Sequence, residues 1–405
     1  MQQAFLTILL ILFGLYFLLI LFYWRSWRSI PHFKPHTYPE HSRRANLKLQ
    51  TKISVIIPAR NEEQNIAACL DSVCNQTYPK ELFEVLVIDD HSTDNTAIII
   101  NTYAVQNVKL ISLKDLISGD INSYKKKAIE IAIARSTGEL IVTTDADCYV
   151  PANWLQTIAA FYEQQQPEFI AAPVAILPSP SGEGLGVRWF IEIFQALDFM
   201  TLQGITGASV YKKIHSMCNG ANLAYTRKAF EEVAGFSGID AIASGDDMLL
   251  MHKIYKRYPD KVMFLRSKEA IVQTEPVRTI REFFNQRIRW ASKAGKYDDK
   301  RIFWVLLLVY MVNVVLLLLP VLALTGNVQY SMFNIQYSIW ALWIVLLFLK
   351  TIIELLFLYP VAKFFNKQRL LWLFLLMQPF HILYTVVAGF LGAFGSYTWK
   401  ERSVK

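Results

Sequence analysis

The sequence predicts an α/β domain built on a mostly parallel sheet and joined to helices long enough to cross a membrane. Three observations carry that prediction. Between residues 53 and 144, short apolar runs rich in β-branched residues alternate with stretches of helical spacing, the pattern of strands joined by crossover helices. Carboxylates stand where those runs stop, at Asp89 and Asp90 and again at Asp145 and Asp147, and such sheets bind ligands beyond the carboxyl ends of their strands. Four further runs, residues 4–24, 302–325, 339–362 and 370–395, reach the roughly 20 apolar residues that a helix needs to cross a bilayer core.

Composition agrees. With 53% hydrophobic residues in 405, the chain is too apolar for a pair of ordinary soluble domains. The linear division is a membrane anchor in 1–30, a polar linker in 31–51, the α/β domain in 52–275, a basic amphipathic helix in 276–300, apolar segments in 301–398 and a tail in 399–405. No basic residue precedes the first run, and Trp24 and Arg25 follow it where a signal peptide would carry small cleavage residues, so it reads as an uncleaved anchor. Arg25, Arg28, Lys34, Arg43, Arg44 and Lys48 come next, which by the positive-inside bias puts the block 25–301 in the cytoplasm. The uncharged stretch 326–338 fits the outside, and Lys363, Lys367 and Arg369 fit the inside again. The last run carries Gln378, Pro379 and His381, which leaves open a kinked span, a re-entrant segment or an interfacial one. Lys350 and Glu354 inside the third run are either functional intramembrane charges or a mutually neutralising i, i+4 pair.

The net charge of +8 suits a surface beside an anionic leaflet, and without a recognised nucleic-acid motif no nucleic-acid partner is expected. Cys69, Cys74, Cys148 and Cys218 form no C-x-x-C pair, so neither a disulfide framework nor a zinc site is expected.

In chain order, residues 53–57 read as a buried strand ended by Pro58. Ile66, Cys69, Leu70 and Val73 mark an amphipathic helix. Residues 85–88 form a second strand, after which Ser92, Thr93 and Asp94 can cap a helix beginning near Asn95. A third strand covers 108–113. Lys125, Lys126 and Lys127 open a helix carrying Ala128, Ile131, Ala132 and Arg135, and Gly138 with Glu139 launches the strand into Asp145. In extended chain, residues i and i+2 share a side, so Asp145 and Asp147 can offer hard oxygens to one Mg²⁺ or Mn²⁺. The plainer reading of that pair is a solvated loop. No G-x-G-x-x-G follows the first strand and no G-x-x-x-x-G-K-[ST] occurs, which excludes the usual dinucleotide and P-loop sites.

Residues 168–176 read as one more strand, and 186–203, with Trp189, Phe190, Phe194 and Phe199, as either a core helix or an interfacial one. A small-residue turn at 218–225 lets backbone approach a ligand. Gly245, Asp246 and Asp247 start a helix, where the acids serve either as caps or as a general base. Gln286, Arg289 and Trp290 lie on the basic stretch 278–296, a common interfacial feature that could also set guanidinium and indole over a diphosphate and a sugar.

Taken in order, VIIPARNEE (55–63), VIDDHSTDNT (87–96), the helix at Lys127 and Ala128, TTDADC (143–148), CNGANLAYTRKAF (218–230), GDDMLL (245–250) and QRIRW (286–290) resemble family 2 glycosyltransferases, inverting enzymes with the GT-A nucleotide-sugar fold. The resemblance spans roughly residues 52–290 and rests on the ordered set rather than on any one motif. It implies that Pro58, Ala59, Arg60 and Glu62 line the nucleobase pocket, that Asp90 meets base or ribose, and that Lys127 lies near the nucleotide. It further implies Asp145 on ribose or metal, Asp147 on the metal, and Asp247 as catalytic base, with Asp246 standing where the family carries Glu. Gln286, Arg289 and Trp290 resemble the Q-x-x-R-W of membrane-embedded members such as polysaccharide synthases and ceramide glucosyltransferases. The implied activity moves a sugar from a nucleoside-diphosphate donor, most commonly a uridine one in that family, to a hydroxyl of a lipid or glycan. One alternative is a processive polysaccharide synthase; those generally carry more N-terminal spans than this chain. Another is a transporter or scaffold with a non-catalytic nucleotide-binding domain.

Overall fold

The computed structural model describes residues 2–35, 49–116, 123–177, 187–214, 217–240, 242, 245–292, 299–325, 329–332, 335–394, 397–399 and 402–404. Arg43, Arg44 and Lys48 of the linker, the end of the basic stretch at 293–298, residues 326–328 and Lys400 and Lys405 of the tail lie outside them. The chain forms two compact units, one of Ile30–Leu177 with Thr206–Glu275, the other of Met1–Ser29 with Pro178–Ile205 and Pro276–Lys405. Pro178–Ile205 thus falls in the second unit, although the linear division keeps it within 52–275.

Helix α1 (Gln2–Ser29) belongs to the second unit. The first unit begins with β1 (Ile53–Ala59), α2 (Ile66–Cys74), β2 (Phe83–Asp89), α3 (Thr96–Asn101), β3 (Val108–Ser112), α4 (Tyr124–Arg135) and β4 (Leu140–Thr143). There follow β5 (Cys148–Tyr149), α5 (Trp154–Gln165), β6 (Phe169–Ala171) and β7 (Val174–Ile176), then α6 (Val187–Tyr211), which belongs to the second unit up to Ile205, and β8 (Leu223–Thr226), α7 (Arg227–Glu232), α8 (Met248–Arg257), β9 (Val262–Phe264) and β10 (Val272–Thr274). The main sheet runs β3-β2-β1-β4-β8-β6-β9. β3, β2, β1 and β4 are parallel, whereas β8 runs against both β4 and β6. Val55, Ile56, Ile57, Val85, Leu86 and Val87 have no exposure at all, as expected of a parallel sheet covered on both faces. At roughly 1.5–3 kcal/mol for each fully buried aliphatic chain, these central strands dominate the unit's cohesion.

Two expectations shift. β1 continues through Pro58 to Ala59, because β4 stops opposite Ile56; beyond that point only β2 flanks the strand, so the missing proline N–H leaves no ladder bond unmade. Residues 168–176 are two strands in different sheets. β6 joins the main sheet, while β7 pairs with β10 in the small sheet β5-β10-β7. Pro173 separates them: it cannot donate, and its carbonyl accepts from Asn222 Nδ2 at 2.7 Å. Inside the main sheet Glu84 is buried yet fully bonded, accepting from Ser54 Oγ, from Lys109 Nζ at 2.8 Å and from Thr137 Oγ1. A Cβ on Gly138 would stand 2.5 Å from Ser54 N, so no larger residue fits where β4 is launched.

The second unit adds α9 (Ile280–Ala291), α10 (Lys300–Thr325), α11 (Ile339–Phe364) and α12 (Phe374–Phe394). Four stretches are long and apolar enough to cross a membrane: Gln3–Ser29, Lys300–Leu324, Ile339–Phe364 and Gln368–Ala393. The last of these, left open by the sequence, is a short 3₁₀ turn followed by α12, which continues helical through Pro379. α1 buries Leu6, Leu9, Phe13, Tyr16, Ile20, Tyr23 and Trp27, a stripe of three- and four-residue spacing. α6 buries Ile191, Phe194, Leu197, Phe199 and Met200, which answers the question of that segment in favour of a core helix. Lys350 contacts Glu354 Oε1 at 2.7 Å and donates to Gln378 Oε1 at 2.8 Å, while Gln378 Nε2 donates to Glu354 Oε2 at 2.6 Å and Tyr16 Oη donates to the same carboxylate. The cluster joins α1, α11 and α12, and each member's charge or dipole meets a complementary one, as burial demands.

Candidate functional site

The first half of the site is made by the loops that leave β1 and β2. Ala59 and Asp89 end these strands in register, so the two loops emerge side by side and are laced together. Asn61 N donates to Ser92 Oγ at 3.0 Å, Thr93 N to Asn61 Oδ1 at 2.9 Å, Glu62 N to Thr96 Oγ1 at 2.8 Å and Asn95 N to Glu63 Oε2 at 3.1 Å. Asn61 and His91 take left-handed backbone, with φ of 52° and 56°, a conformation both residue types enter more readily than most. Arg60 Nη1 donates to the Asp90 carbonyl at 2.9 Å, and Asp90 Oδ1 lies 3.0 Å from His91 Nδ1. Glu62 accepts from Asn65 Nδ2 at 3.0 Å. The expected capping of α3 falls to Asp94, which accepts from Thr96 N at 3.0 Å; burial opposes it, but bonds from Thr96 and Glu63 hold that carboxyl below its ordinary range. Pro58, Ala59, Arg60, Glu62 and Asp90 therefore gather at two adjoining strand ends.

The second half is an acid cluster beyond β4. Lys125 Nζ bonds Asp145 Oδ1 at 2.7 Å and stands 3.3 Å from Asp246 Oδ2. Asp247 is the N-cap of α8, accepting from Met248 N at 2.7 Å through one oxygen and from Gly220 N at 3.2 Å through the other. Thr143 Oγ1 donates to the Gly220 carbonyl at 3.0 Å, which fastens the 218–222 turn to the end of β4. A Cβ at Gly220 would meet Asp246 Oδ2 at 3.3 Å and Lys125 Nζ at 3.4 Å, so a larger residue there would press on the acid cluster. Burial alone would lower the Lys125 pKa, but the carboxylates of Asp145, Asp246 and Asp247 outweigh it and hold the ammonium above its ordinary value.

Asp147 is exposed, with Cys148 Sγ 3.6 Å from its Oδ1. Burial pushes the Cys148 and Cys69 thiols up, and Asp147 and Asp145 add to it, so no thiolate competes with the carboxylates. Among the described residues, no three His, Cys, Asp or Glu side chains converge as a metal cage. β4 ends at Thr143 and Asp147 stands in a turn, so the two acids do not share a strand face as extended chain would give them, although both are hard oxygen donors of the kind Mg²⁺ and Mn²⁺ take alongside a diphosphate.

The three lysines that open α4 face three different ways. Lys127 is half exposed and faces Glu130 at 3.4 Å; Lys126 is buried and donates to the carbonyls of Ile239 and Ile242; Lys125 meets the acids. Successive helical residues point about 100° apart, so one lysine of the three can face the cluster. By helical phase Lys125 shares a stripe with Ala128, Ile129 and Ala132 and Lys126 shares one with Ile129 and Ile133, all buried, whereas Lys127 shares one with Glu130 and Ile131, so phase sets Lys127 apart but does not choose between the other two. Gly220 lies in the small-residue turn that the sequence marks, while Thr143 and His91, which bond to these groups, are not singled out by spacing. Gln286, Arg289 and Trp290 lie on α9, in the second unit. There Arg287 Nη1 donates to Gln286 Oε1 at 2.7 Å, and Trp290 packs against Phe199 with ring centroids 6.1 Å apart.

The sequence model of the family described as Glycosyl transferase family 2 matches residues 54–234. Among curated relatives, a poly(ribitol-phosphate) beta-glucosyltransferase of Bacillus spizizenii is 36% identical over 150 residues, 37% of this chain and 23% of that protein. A beta-monoglucosyldiacylglycerol synthase of Nostoc sp. is 26% identical over 265 residues, 63% of this chain and 51% of that one. The chain therefore spans about half or less of the length of these two relatives. Among solved structures, the mannosyltransferase PcManGT of Pyrobaculum calidifontis, in complex with GDP-Man and Mn²⁺, has a TM-score of 0.54 at 18% identity, covering 97% of this chain and 99% of that one. The likeness shows a shared GT-A fold.

Proposed function

We propose that this chain, whose residues 54–234 match the model of glycosyl transferase family 2 and which has a GT-A fold, is a membrane-bound inverting transferase that moves a sugar from a nucleoside-diphosphate sugar to a hydroxyl of a lipid or glycan. The observation that carries the proposal is the junction of Lys125 with Asp145 and Asp246, and of Asp247 with the Gly220 turn, at the carboxyl end of β4. In this reading Pro58, Ala59, Arg60, Glu62 and Asp90 hold the nucleoside. Asp145 and Asp147 would hold a divalent cation, Mg²⁺ or Mn²⁺, whose charge neutralises the diphosphate when bound. Lys125 adds a cation at the same place and shields the acids from one another.

Asp247, aimed by the Met248 and Gly220 N–H groups, accepts the proton of the acceptor hydroxyl as that oxygen attacks the anomeric carbon. The new C–O bond forms as the bond to the diphosphate breaks, and the nucleoside diphosphate leaves with the electron pair. One displacement inverts the configuration. Gln286, Arg289 and Trp290 enter this proposal on their motif alone. The acceptor proposal is supported by the four apolar helices and by the relative named for a diacylglycerol product. A cytoplasmic position for the catalytic unit rests on the basic residues that follow α1.

The test uses detergent-solubilised protein with UDP-glucose, UDP-N-acetylglucosamine and GDP-mannose, each with Mn²⁺. Nucleoside diphosphate release is scored with and without a membrane lipid extract, and the product is identified by mass. Release that depends on the extract and yields a glycolipid supports the reading. Donor binding without transfer to any lipid or glycan refutes it in favour of a non-catalytic nucleotide-binding scaffold.

A further inference from the structure

One of the two buried residues of α9, Arg287, is at a position that the Q-x-x-R-W pattern leaves unspecified. Arg287 is 4% exposed, between Gln286 and the Arg289–Trp290 pair. Its guanidinium lies over the Phe283 ring at 4.7 Å and over the Trp290 indole at 4.3 Å. Nη1 donates to Gln286 Oε1 at 2.7 Å, and Nη2 stands 2.7 Å from Asp198 Oδ2 on α6. That charge contact lies off the N–H axis, so it fixes position by Coulomb attraction more than by a directed bond. Asp198, equally buried, is held in turn by the Tyr384 hydroxyl on α12. Three residues before Asp198, α6 also clamps the entry to α9: Gln195 Nε2 donates to the Val277 carbonyl at 2.8 Å, and Val277 N donates to Gln195 Oε1 at 3.1 Å.

One planar side chain therefore touches two of the three motif residues, Gln286 through a hydrogen bond and Trp290 through its ring face. A buried ion pair costs desolvation and contributes little net stability, so what it supplies here is a fixed geometry. Lysine could keep the charge but not the fork and the flat face together. We propose that Arg287 is a positioning residue: anchored by Asp198 and Tyr384, it sets the orientation of Gln286 and Trp290 for sugar transfer. The catalytic part of this inference rests on the function proposed above, whereas its geometric part does not.

The experiment separates the two. The full chain is labelled with 5-fluorotryptophan in detergent, and the Trp290 resonance is assigned by its loss in Trp290→Phe. Arg287→Lys, Asp198→Asn and Tyr384→Phe are then compared, the last two keeping shape should the first fail to fold. The Trp290 resonance is expected to move in Arg287→Lys and Asp198→Asn while the other tryptophans stay put. With a donor that the wild type turns over, kcat should fall about 10–100-fold in those variants, as displacement of a substrate-handling group by about 1 Å does, with donor KM changed less than about threefold. A Trp290 resonance unmoved in every folded variant overturns the proposal, and so does a moved resonance with unchanged kcat. If the wild type transfers no sugar from any donor, the proposed function fails, and with it the catalytic role of Arg287.

Discussion

Replacing Lys125 by methionine should tighten metal binding and slow transfer in the same variant. The ammonium stands 2.7 Å from Asp145 and 3.3 Å from Asp246, with Asp247 contributing to its elevated pKa. Removing it leaves Asp145, Asp246 and Asp247 without their adjacent cation. For a divalent ion at the Asp145 carboxylate, the lost repulsion is that of charges +2 and +1 about 5 Å apart. At an effective dielectric between roughly 40 and 80, for a site this open to water, that amounts to about 2–3 kcal/mol. Screening by salt and the partial exposure of both partners reduce it to about 1–2 kcal/mol, a roughly 5–30-fold tighter Mn²⁺ Kd without donor. Transfer should nevertheless fall about 10²-fold or more, since a preorganised cation beside the leaving diphosphate is gone. Mn²⁺ binding read by electron paramagnetic resonance, and nucleoside diphosphate release under saturating Mn²⁺, give the two numbers. Weaker Mn²⁺ binding, or transfer at the wild-type rate, would show that Lys125 does not shield the acid cluster.

Other perturbations separate the remaining roles. Asp247→Asn keeps the shape of the cap but cannot take a proton, so transfer should drop about 10²–10⁴-fold with donor affinity nearly unchanged; Asp246→Asn, measured in parallel, should act less on kcat, and the reverse order would move the base to Asp246. Chelation should abolish transfer and Mn²⁺ or Mg²⁺ restore it, whereas full activity of Asp147→Ala in chelator would remove the metal from the mechanism. Stability should also report on Glu84, whose carboxyl is held down at about 2 because bonds from Lys109, Thr137 and Ser54 outweigh its burial. A depressed folded pKa stabilises above the unfolded value of 4.5 and loses that contribution as pH falls towards 2, here about 1–2 kcal/mol after allowing for the exposed Lys109. The difference in Tm between wild type and Glu84→Gln should therefore shrink from pH 5 to pH 2, and a constant difference would contradict the account.

What the sequence disclosed and what it withheld follow from the range of the interactions involved. The strand runs and the acids at their ends are local, so periodicity and spacing located β1, β2, β4 and the N-terminus of α8. Pro58 and Pro173 break local rules in opposite ways: the first is tolerated because β4 has already ended, the second divides one apparent strand between two sheets, and both depend on neighbours distant in the chain. Helical phase sets Lys127 apart from Lys125 and Lys126, but which of those two meets the acids is decided by residues distant in the chain. Arg287 gave no signal, because its meaning lies in Asp198 and Tyr384 on two other helices, and no single stretch of sequence contains that arrangement.

The polar cluster of Tyr16, Lys350, Glu354 and Gln378 also bears on how the chain is made. Synthesis runs from the N-terminus, so α1 enters the bilayer with Tyr16 long before α11 arrives, and α11 must insert with Lys350 and Glu354 before α12 delivers Gln378. Each isolated charge at mid-span costs insertion about 2.5–3.5 kcal/mol, and the i, i+4 pairing within α11 relieves that burden at once, before any other helix is present. Tyr16 and Gln378 join later, when helices already in lipid find one another. An insertion intermediate in which α11 is seated but α12 is not thus holds a carboxylate and an ammonium with unfilled bonding capacity, and association of α12 and α1 with it becomes the step that commits the helices to one arrangement.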